Sequence, residues 1–196
     1  MTTNRTRSFA AVAAIAVGVS LTACSQDAET TPTAATSAVT SASSAAASTT
    51  EPVPTDSSDK TSAAGTESKL TVVDIRVGEH DGFDRVVYEM GGTGTPGWRV
   101  KYVDAATQEG SGKPVDIKGA AVIQVLIDGS AYPFDSGVEQ YSGPNPVTGV
   151  GGVVTEVNGS NVFEGVTQSF IGVTEKQPFT VTTLSDPPRV VVDVAR

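Results

Sequence analysis

One cysteine and one histidine limit the chemistry that this chain of 196 residues can perform. Cys24 has no second cysteine to pair with, so an intramolecular disulfide is excluded. Cys24 and His80 together do not supply the ligands that a structural zinc site uses. A serine-based triad would need His80 as its base, and the sequence contains no G-x-S-x-G elbow. We therefore expect no cofactor, no bound metal and no enzymatic activity, and a binding function instead.

The sequence before Cys24 indicates a different use for its thiol. Two early arginines precede an uncharged apolar run at residues 9–19, and small residues follow as far as Ala23. This order is typical of a secretory signal peptide. The apolar run is far shorter than the roughly 20 residues that a membrane-spanning helix needs. We expect residues 1–23 to be a signal peptide that is removed.

The sequence Leu-Thr-Ala-Cys at residues 21–24 resembles the lipobox of bacterial lipoproteins. The resemblance implies that a diacylglyceryl group is attached to the Cys24 sulfur and that cleavage then makes Cys24 the first residue. A thiol suits this step because it forms a nucleophilic thiolate far more readily than a hydroxyl forms its anion. We predict a lipid-anchored protein on the extracytoplasmic face of the bacterial cell membrane. The alternative is an ordinary signal peptide cut after Ala23, with an incidental free thiol.

A long polar segment separates Cys24 from the first strand-like sequence. Residues 25–68 are mainly Ser, Thr and Ala, and they contain no aromatic residue and only two valines. Such a segment cannot bury enough apolar surface to offset the entropy lost when its backbone is ordered. We therefore predict a disordered linker over residues 24–68, with an end-to-end distance of roughly 35 to 40 Å. O-linked sugars on this linker are an option.

From residue 70 onward, β-branched and turn-forming residues dominate, which predicts an all-β domain over residues 69–196. Many short strands bounded by Gly, Pro, Asn and Asp are typical of a sandwich or a barrel. Residues 128–152 are rich in Gly and Pro, and loops of that length are usually functional or mobile. The predicted strands are residues 70–77, 85–90, 98–103, 115–118, 120–127, 153–157, 162–173, 179–184 and 189–194.

Two of the predicted strands share the pattern Arg, Val, Val, apolar, acid, apolar: residues 85–90 and residues 189–194. Because side chains alternate along a strand, the apolar members fall on one face, and the arginine and the acid fall on the other. The repetition predicts corresponding strands in two related sheets, one near each end of the domain. The alternative is a composition that strands commonly share.

The segments RVVYE, PGWRVKYV and LSDPPRVVVDV are similar to those of the AMIN domain, and more closely to those of the AMIN-like domain of secreted bacterial lipoproteins. The resemblance spans residues 70–196 and implies a β-sandwich of two small, pseudo-symmetric sheets. AMIN domains are associated with the targeting of partners, often wall amidases, to peptidoglycan or to envelope assemblies. For this chain the resemblance implies a non-catalytic domain that binds peptidoglycan or an envelope partner protein.

The charge of the predicted domain restricts what it binds. From residue 70 onward there are 16 Asp or Glu and 9 Lys or Arg, so the formal net charge is 9 − 16 = −7. An acidic domain repels polyphosphates, so nucleic acid and teichoic-type wall polymers are poor partners. Neutral glycans and peptide stems are better candidates. A rival function is a small-molecule or lipid carrier with an apolar cavity beneath residues 128–152.

Six residues are candidates for ligand contact, and each has a structural alternative. An aromatic ring stacks on a sugar, and a guanidinium binds a carboxylate. Burial in the core is the alternative for the tryptophan, and cross-strand pairing with acids is the alternative for the arginines. Residues 79–84 are acidic around an Asp-Gly pair, which favours a turn over a calcium site. The six candidates are Trp98, Tyr102 and Tyr141 for stacking, and Arg85, Arg99 and Arg189 for carboxylates.

Overall fold

The computed structural model of the protein describes residues 51–196. The predicted signal peptide, Cys24 and most of the predicted linker lie outside this range. No helix within it is long and apolar enough to cross a membrane. The elements are β1 (Lys60–Ser62), β2 (Lys69–His80), β3 (Phe83–Thr93), β4 (Gly97–Val103), β5 (Ala121–Asp128), α1 (Pro133–Ser136), β6 (Val147–Thr148), β7 (Val154–Phe163), β8 (Val166–Val173), β9 (Phe179–Leu184) and β10 (Arg189–Ala195).

The strands form two antiparallel sheets, which confirms the predicted all-β fold. A six-stranded sheet has the order β1-β4-β5-β8-β7-β6, and a four-stranded sheet has the order β2-β3-β10-β9. On β3, Val86, Tyr88 and Met90 point between the sheets and are at most 1% exposed, as alternation predicts. The six-stranded sheet contributes facing residues that include Val100, Ile123, Val125, Ile127 and Ile171. Side chains thus occupy the space between the sheets, which gives no support to the carrier hypothesis.

Polar contacts fix the two sheets relative to each other. The Tyr88 hydroxyl lies 3.0 Å from the Ser169 hydroxyl. The Trp98 Nε1–H donates to the Thr183 hydroxyl at 3.0 Å. Burial raises the pKa of Tyr88 above its usual range. Such satisfied polar pairs restrict the core to one arrangement.

The two Arg-Val-Val patterns are neighbours in one sheet, so the prediction that they belong to two sheets is wrong. β3 and β10 pair antiparallel, with Arg85 opposite Asp193 and Arg189 opposite Glu89. The physical reason lies in the pattern itself. Its first residue is basic and its fifth is acidic, so two reversed copies place each arginine opposite an acid. Opposite charges across an antiparallel pair stabilise it.

Two predicted strands need correction. Residues 162–173 are not one strand, because a turn at Glu164 and Gly165 separates β7 from β8. Both turn residues have positive φ, which a strand does not allow. Residues 115–118 form no strand, since the main chain of Asp116 and Lys118 bonds to side chains of β7 instead of to a neighbouring strand. The Lys118 N–H donates to Glu156 Oε1 at 2.8 Å, and Asn158 Nδ2 donates to the carbonyl of Asp116 at 3.0 Å.

The linker prediction is wrong for its last part, residues 51–68, which pack against the sandwich. β1 pairs with Trp98 to Val100 of β4. The carbonyl of Asp56 accepts the N–H of Phe179 at 2.9 Å, and Lys60 Nζ lies 4.9 Å from the centre of the Phe179 ring. Main-chain pairing at a sheet edge needs no apolar side chain, so the Ser/Thr-rich composition does not prevent it.

Residues 128–152 cover the first part of the outer edge of β2, at Leu70 and Val72. The Leu70 N–H donates to the carbonyl of Gly129 at 3.1 Å, and the Ala131 N–H donates to the carbonyl of Leu70 at 2.7 Å. Further along, the Tyr141 N–H donates to the carbonyl of Val72 at 2.8 Å. This long connection therefore satisfies main-chain groups that would otherwise leave β2 open to pairing with another chain.

Candidate functional site

The three candidate arginines lie on the outer faces of the sandwich, but they do not all belong to the same sheet. Arg85 and Arg189 are on the four-stranded sheet, and Arg99 is on the six-stranded sheet. Arg85 donates to both carboxylate oxygens of Asp193 at 2.7 and 2.8 Å. Arg99 donates in the same way to Asp128 at 3.1 and 2.8 Å. These hydrogen bonds raise the pKa of both guanidinium groups and occupy the donors that a ligand carboxylate would use.

Arg189 differs, because within residues 51–196 no carboxylate forms an ion pair with it. Glu89 lies opposite it in the sheet but accepts a hydrogen bond from Arg76 Nη2 at 2.9 Å. Arg189 Nε donates to the carbonyl of Pro187 at 3.1 Å, and Nη2 lies 3.5 Å from the carbonyl of Ser185. Its partly exposed guanidinium therefore keeps donors for a ligand carboxylate.

The three candidate aromatic residues have structural partners. Trp98 is only 8% exposed and packs in the core. The Tyr102 hydroxyl donates to the carbonyl of Gln177 at 2.7 Å, and the Tyr141 hydroxyl donates to the carbonyl of Pro144 at 2.9 Å. Burial raises the pKa of both tyrosines. None of the three presents a fully exposed ring to a sugar.

The exposed aromatic surface is formed instead by Tyr132 and Phe134, which the sequence analysis missed. Phe134 is 82% exposed and Tyr132 is 41% exposed. Their rings are nearly parallel, at 8°, with centroids 5.5 Å apart. The hydroxyl of Ser136, also in α1, lies 2.6 Å from that of Thr71, on the outer side of β2. The sequence did contain a signal for this surface, namely Tyr-Pro-Phe at residues 132–134. These residues lie outside every predicted strand, where no sheet face buries the rings.

A groove of about 710 Å³ lies on the outer face of the four-stranded sheet, beside β9. Thr180, Thr182 and Val191 line its floor, and residues 51–55 form one wall. We call residues 51–55 the strap and the groove the strap groove. Glu51 holds the strap to the sheet through an ion pair with Arg85 at 3.1 Å.

Arg189 adjoins the strap groove. It lies directly opposite Leu184 on β9 and two residues before Val191, and both of these line the groove. Threonine hydroxyls can donate to and accept from sugar hydroxyls, and a guanidinium binds a carboxylate through two parallel hydrogen bonds. The outer face of the four-stranded sheet thus presents groups that suit a ligand with both sugars and carboxylates.

The acidic segment at residues 79–84 forms a hairpin turn and an ion pair. The Asp84 carboxylate is fully buried and accepts hydrogen bonds from Arg196 at 2.7 Å and from the Val154 N–H at 2.9 Å. Glu79 binds the same guanidinium at 2.6 Å. In the part of the chain that the structure describes, no cluster of His, Cys, Asp or Glu is arranged to hold a metal ion.

Comparison with protein families finds one whose model is described as the AMIN-like domain, and it matches residues 70–196. No curated protein and no solved structure matches the chain. The matched range contains β3 to β10 and almost all of β2, so it includes the outer face that carries Arg189. The strap and β1 precede it.

Proposed function

The chain belongs to the AMIN-like domain family, and on that premise we propose that its sandwich binds peptidoglycan through the outer face of the four-stranded sheet. AMIN-like domains are non-catalytic binding domains of the bacterial envelope and are associated with peptidoglycan. The observation that carries the proposal is the guanidinium of Arg189. It has no carboxylate partner within residues 51–196, and it adjoins a groove lined by threonines.

The chemistry of peptidoglycan matches the groups on this face. Its peptide stems carry carboxylates, which suit Arg189. Its sugars carry hydroxyl groups that suit Thr180 and Thr182, and apolar ring faces that suit the exposed pair of Tyr132 and Phe134. The whole chain has a formal net charge of −9, which disfavours the binding of polyanions that carry no positive groups.

Arg189→Ala should weaken binding to insoluble peptidoglycan by about 10- to 100-fold, since a hydrogen bond to a charged group contributes about 1.5–3 kcal/mol. The measurement is the fraction of residues 25–196, produced without lipid, that sediments with increasing amounts of peptidoglycan. Arg99→Ala is the matched control, because it removes the same side chain from the other sheet. It should bind like the unchanged protein.

Two outcomes would contradict the proposal. If the unchanged protein stays in the supernatant at low salt, the domain does not bind peptidoglycan. If Arg189→Ala and Arg99→Ala weaken binding equally, the outer face of the four-stranded sheet is not the binding surface.

We also propose that lipid on Cys24 holds this domain at the extracytoplasmic face of the cell membrane. The support is the order of the sequence: basic residues, a short apolar run, and the lipobox-like residues 21–24. A membrane-bound module within the envelope would meet the inner layers of the wall, which is where a peptidoglycan-binding domain would act.

A further inference from the structure

The edges of the two sheets differ in how they are protected. The edge strands β1 and β6 of the six-stranded sheet have only three and two residues. β2, at one edge of the four-stranded sheet, is bonded to residues 129–141 at Leu70 and Val72, and beyond them it has a bulge and charged side chains. β9, at the other edge, has six residues and contains no charge, no proline and no bulge. It therefore lacks the features that usually prevent an edge strand from pairing with another chain.

One hydrogen bond shows which main-chain groups of β9 point away from the sheet. The Phe179 N–H donates to the carbonyl of Asp56, so it points away from β10. Because main-chain direction alternates along a strand, the N–H and C=O groups of Val181 and Thr183 point the same way. Within residues 51–196 these four groups have no main-chain partner. They form a short free edge.

We propose that this free edge pairs with an extended segment of a partner protein that carries basic side chains. Strand addition of this kind obtains affinity from main-chain hydrogen bonds and specificity from pockets for alternate side chains. Thr182 and Leu184 face the strap groove. A side chain opposite Thr182 on the added strand would lie on the same face, beside this groove. The inference goes beyond the proposed function, because the ligand is a polypeptide.

Charge favours a basic partner over a second copy of this chain. The formal net charge of the chain is −9, so two copies repel each other. Asp186, which follows β9 by two residues, forms no ion pair within the described residues. Lysine or arginine beside the pairing residues would be attracted to it. Because Asp56 closes the edge at Phe179, the contact is short and the binding should be weak and reversible.

The test uses the peptide acetyl-Lys-Val-Thr-Val-Lys-amide and residues 25–196 labelled with ¹⁵N. At saturating peptide, the amide hydrogens of Val181 and Thr183 should exchange more slowly, by up to about fivefold, because each gains a hydrogen bond. The amides of Thr180 and Thr182 point toward β10 and should not change. A peptide with glutamate in place of both lysines should bind at least about tenfold more weakly.

Two controls separate main-chain pairing from other binding. The same lysine peptide, N-methylated at its three central residues, lacks the donors that the β9 carbonyls accept, and its methyl groups prevent close approach to the strand. It should give no protection. Val181→Pro removes an outward N–H at an edge position where proline is tolerated, and it should reduce the protection of Thr183, whereas Thr182→Ala should not. If Val181→Pro fails to fold, the N-methylated peptide makes the same test on the unchanged protein.

Three results would overturn the inference: equal binding of the N-methylated peptide, unchanged exchange at Val181 and Thr183, or protection that rises with protein concentration without peptide. The last would assign the edge to self-association. Arg189→Ala should leave peptide protection intact, because its side chain takes no part in the main-chain pairing. Failure of peptidoglycan binding and failure of this inference are therefore distinguishable.

Discussion

Cys24→Ser should abolish lipid attachment and the cleavage that follows it. A serine hydroxyl does not form the nucleophilic anion that accepts the diacylglyceryl group. Each buried CH₂ contributes about 0.8 kcal/mol, so the acyl chains supply essentially all attachment of the cleaved protein. The measurement is the mass of the protein purified from intact cells. We expect the unchanged protein to begin at Cys24 with lipid on its sulfur, and the variant to keep residues 1–23 and to carry no lipid.

Ser25→Ala is the control for this experiment, because it changes the neighbouring residue and leaves the thiol in place. It should carry lipid and be cleaved before Cys24 like the unchanged protein. Reaction of extracted protein with a thiol reagent gives a second measurement, since lipid on the sulfur blocks the reaction. A freely reactive Cys24 in the unchanged protein, or a Cys24→Ser protein that still carries lipid, would contradict the lipid anchor.

Asp84→Asn should lower the free energy of unfolding by about 3 kcal/mol. The carboxylate is fully buried. Its Oδ1 accepts a hydrogen bond from Arg196 Nε at 2.7 Å and lies 2.6 Å from Nη2, and its Oδ2 accepts a hydrogen bond from the Val154 N–H at 2.9 Å. An amide group offers one oxygen in place of two, so its own N–H donors face either the guanidinium or the Val154 N–H. Loss of this buried acceptor leaves a polar group without its partner, which costs about 1–3 kcal/mol and more where the group is charged. Urea unfolding, followed by the fluorescence of the buried Trp98, measures the change.

Glu79→Gln is the matched control, because it makes the same chemical change in a carboxylate that binds the same guanidinium. Its side chain is 60% exposed, so water replaces the lost interaction, and the unfolding midpoint should barely move. If both variants shift the midpoint equally, burial of Asp84 does not determine the strength of its ion pair.

The sequence predicts which face of a strand is buried better than it predicts which strand lies beside it. Alternation places Val86, Tyr88 and Met90 in the core, as observed. The partner of β3 is β10, more than a hundred residues away, and local pattern contains no information on such distant pairing. The complementarity of the two Arg-Val-Val patterns is visible in the sequence only when one copy is read in reverse.

Composition alone does not predict that residues 51–62 have an ordered structure. This segment has few apolar side chains, and its position depends on main-chain hydrogen bonds to β4 and β9. Those acceptors and donors exist only after both sheets have formed. Composition describes side chains, so it underestimates segments that complete a sheet edge.

The candidate site was predictable in residue type but not in detail. Arg85, Arg99 and Arg189 have similar strand contexts, and the sequence does not separate them. Only the structure shows that Glu89 pairs with Arg76 and leaves Arg189 without a carboxylate in the described residues. The exposed ring of Phe134 depends on the placement of α1, which no periodic pattern indicates.

The most direct test of the proposed function is to map a soluble peptidoglycan fragment, two sugars with a peptide stem, onto the backbone amides of residues 25–196. Binding through the outer face of the four-stranded sheet predicts chemical-shift changes at Thr180, Thr182 and Arg189, with the largest at Arg189. Shift changes confined to the face that carries Arg99, or no change at saturating fragment, would contradict it.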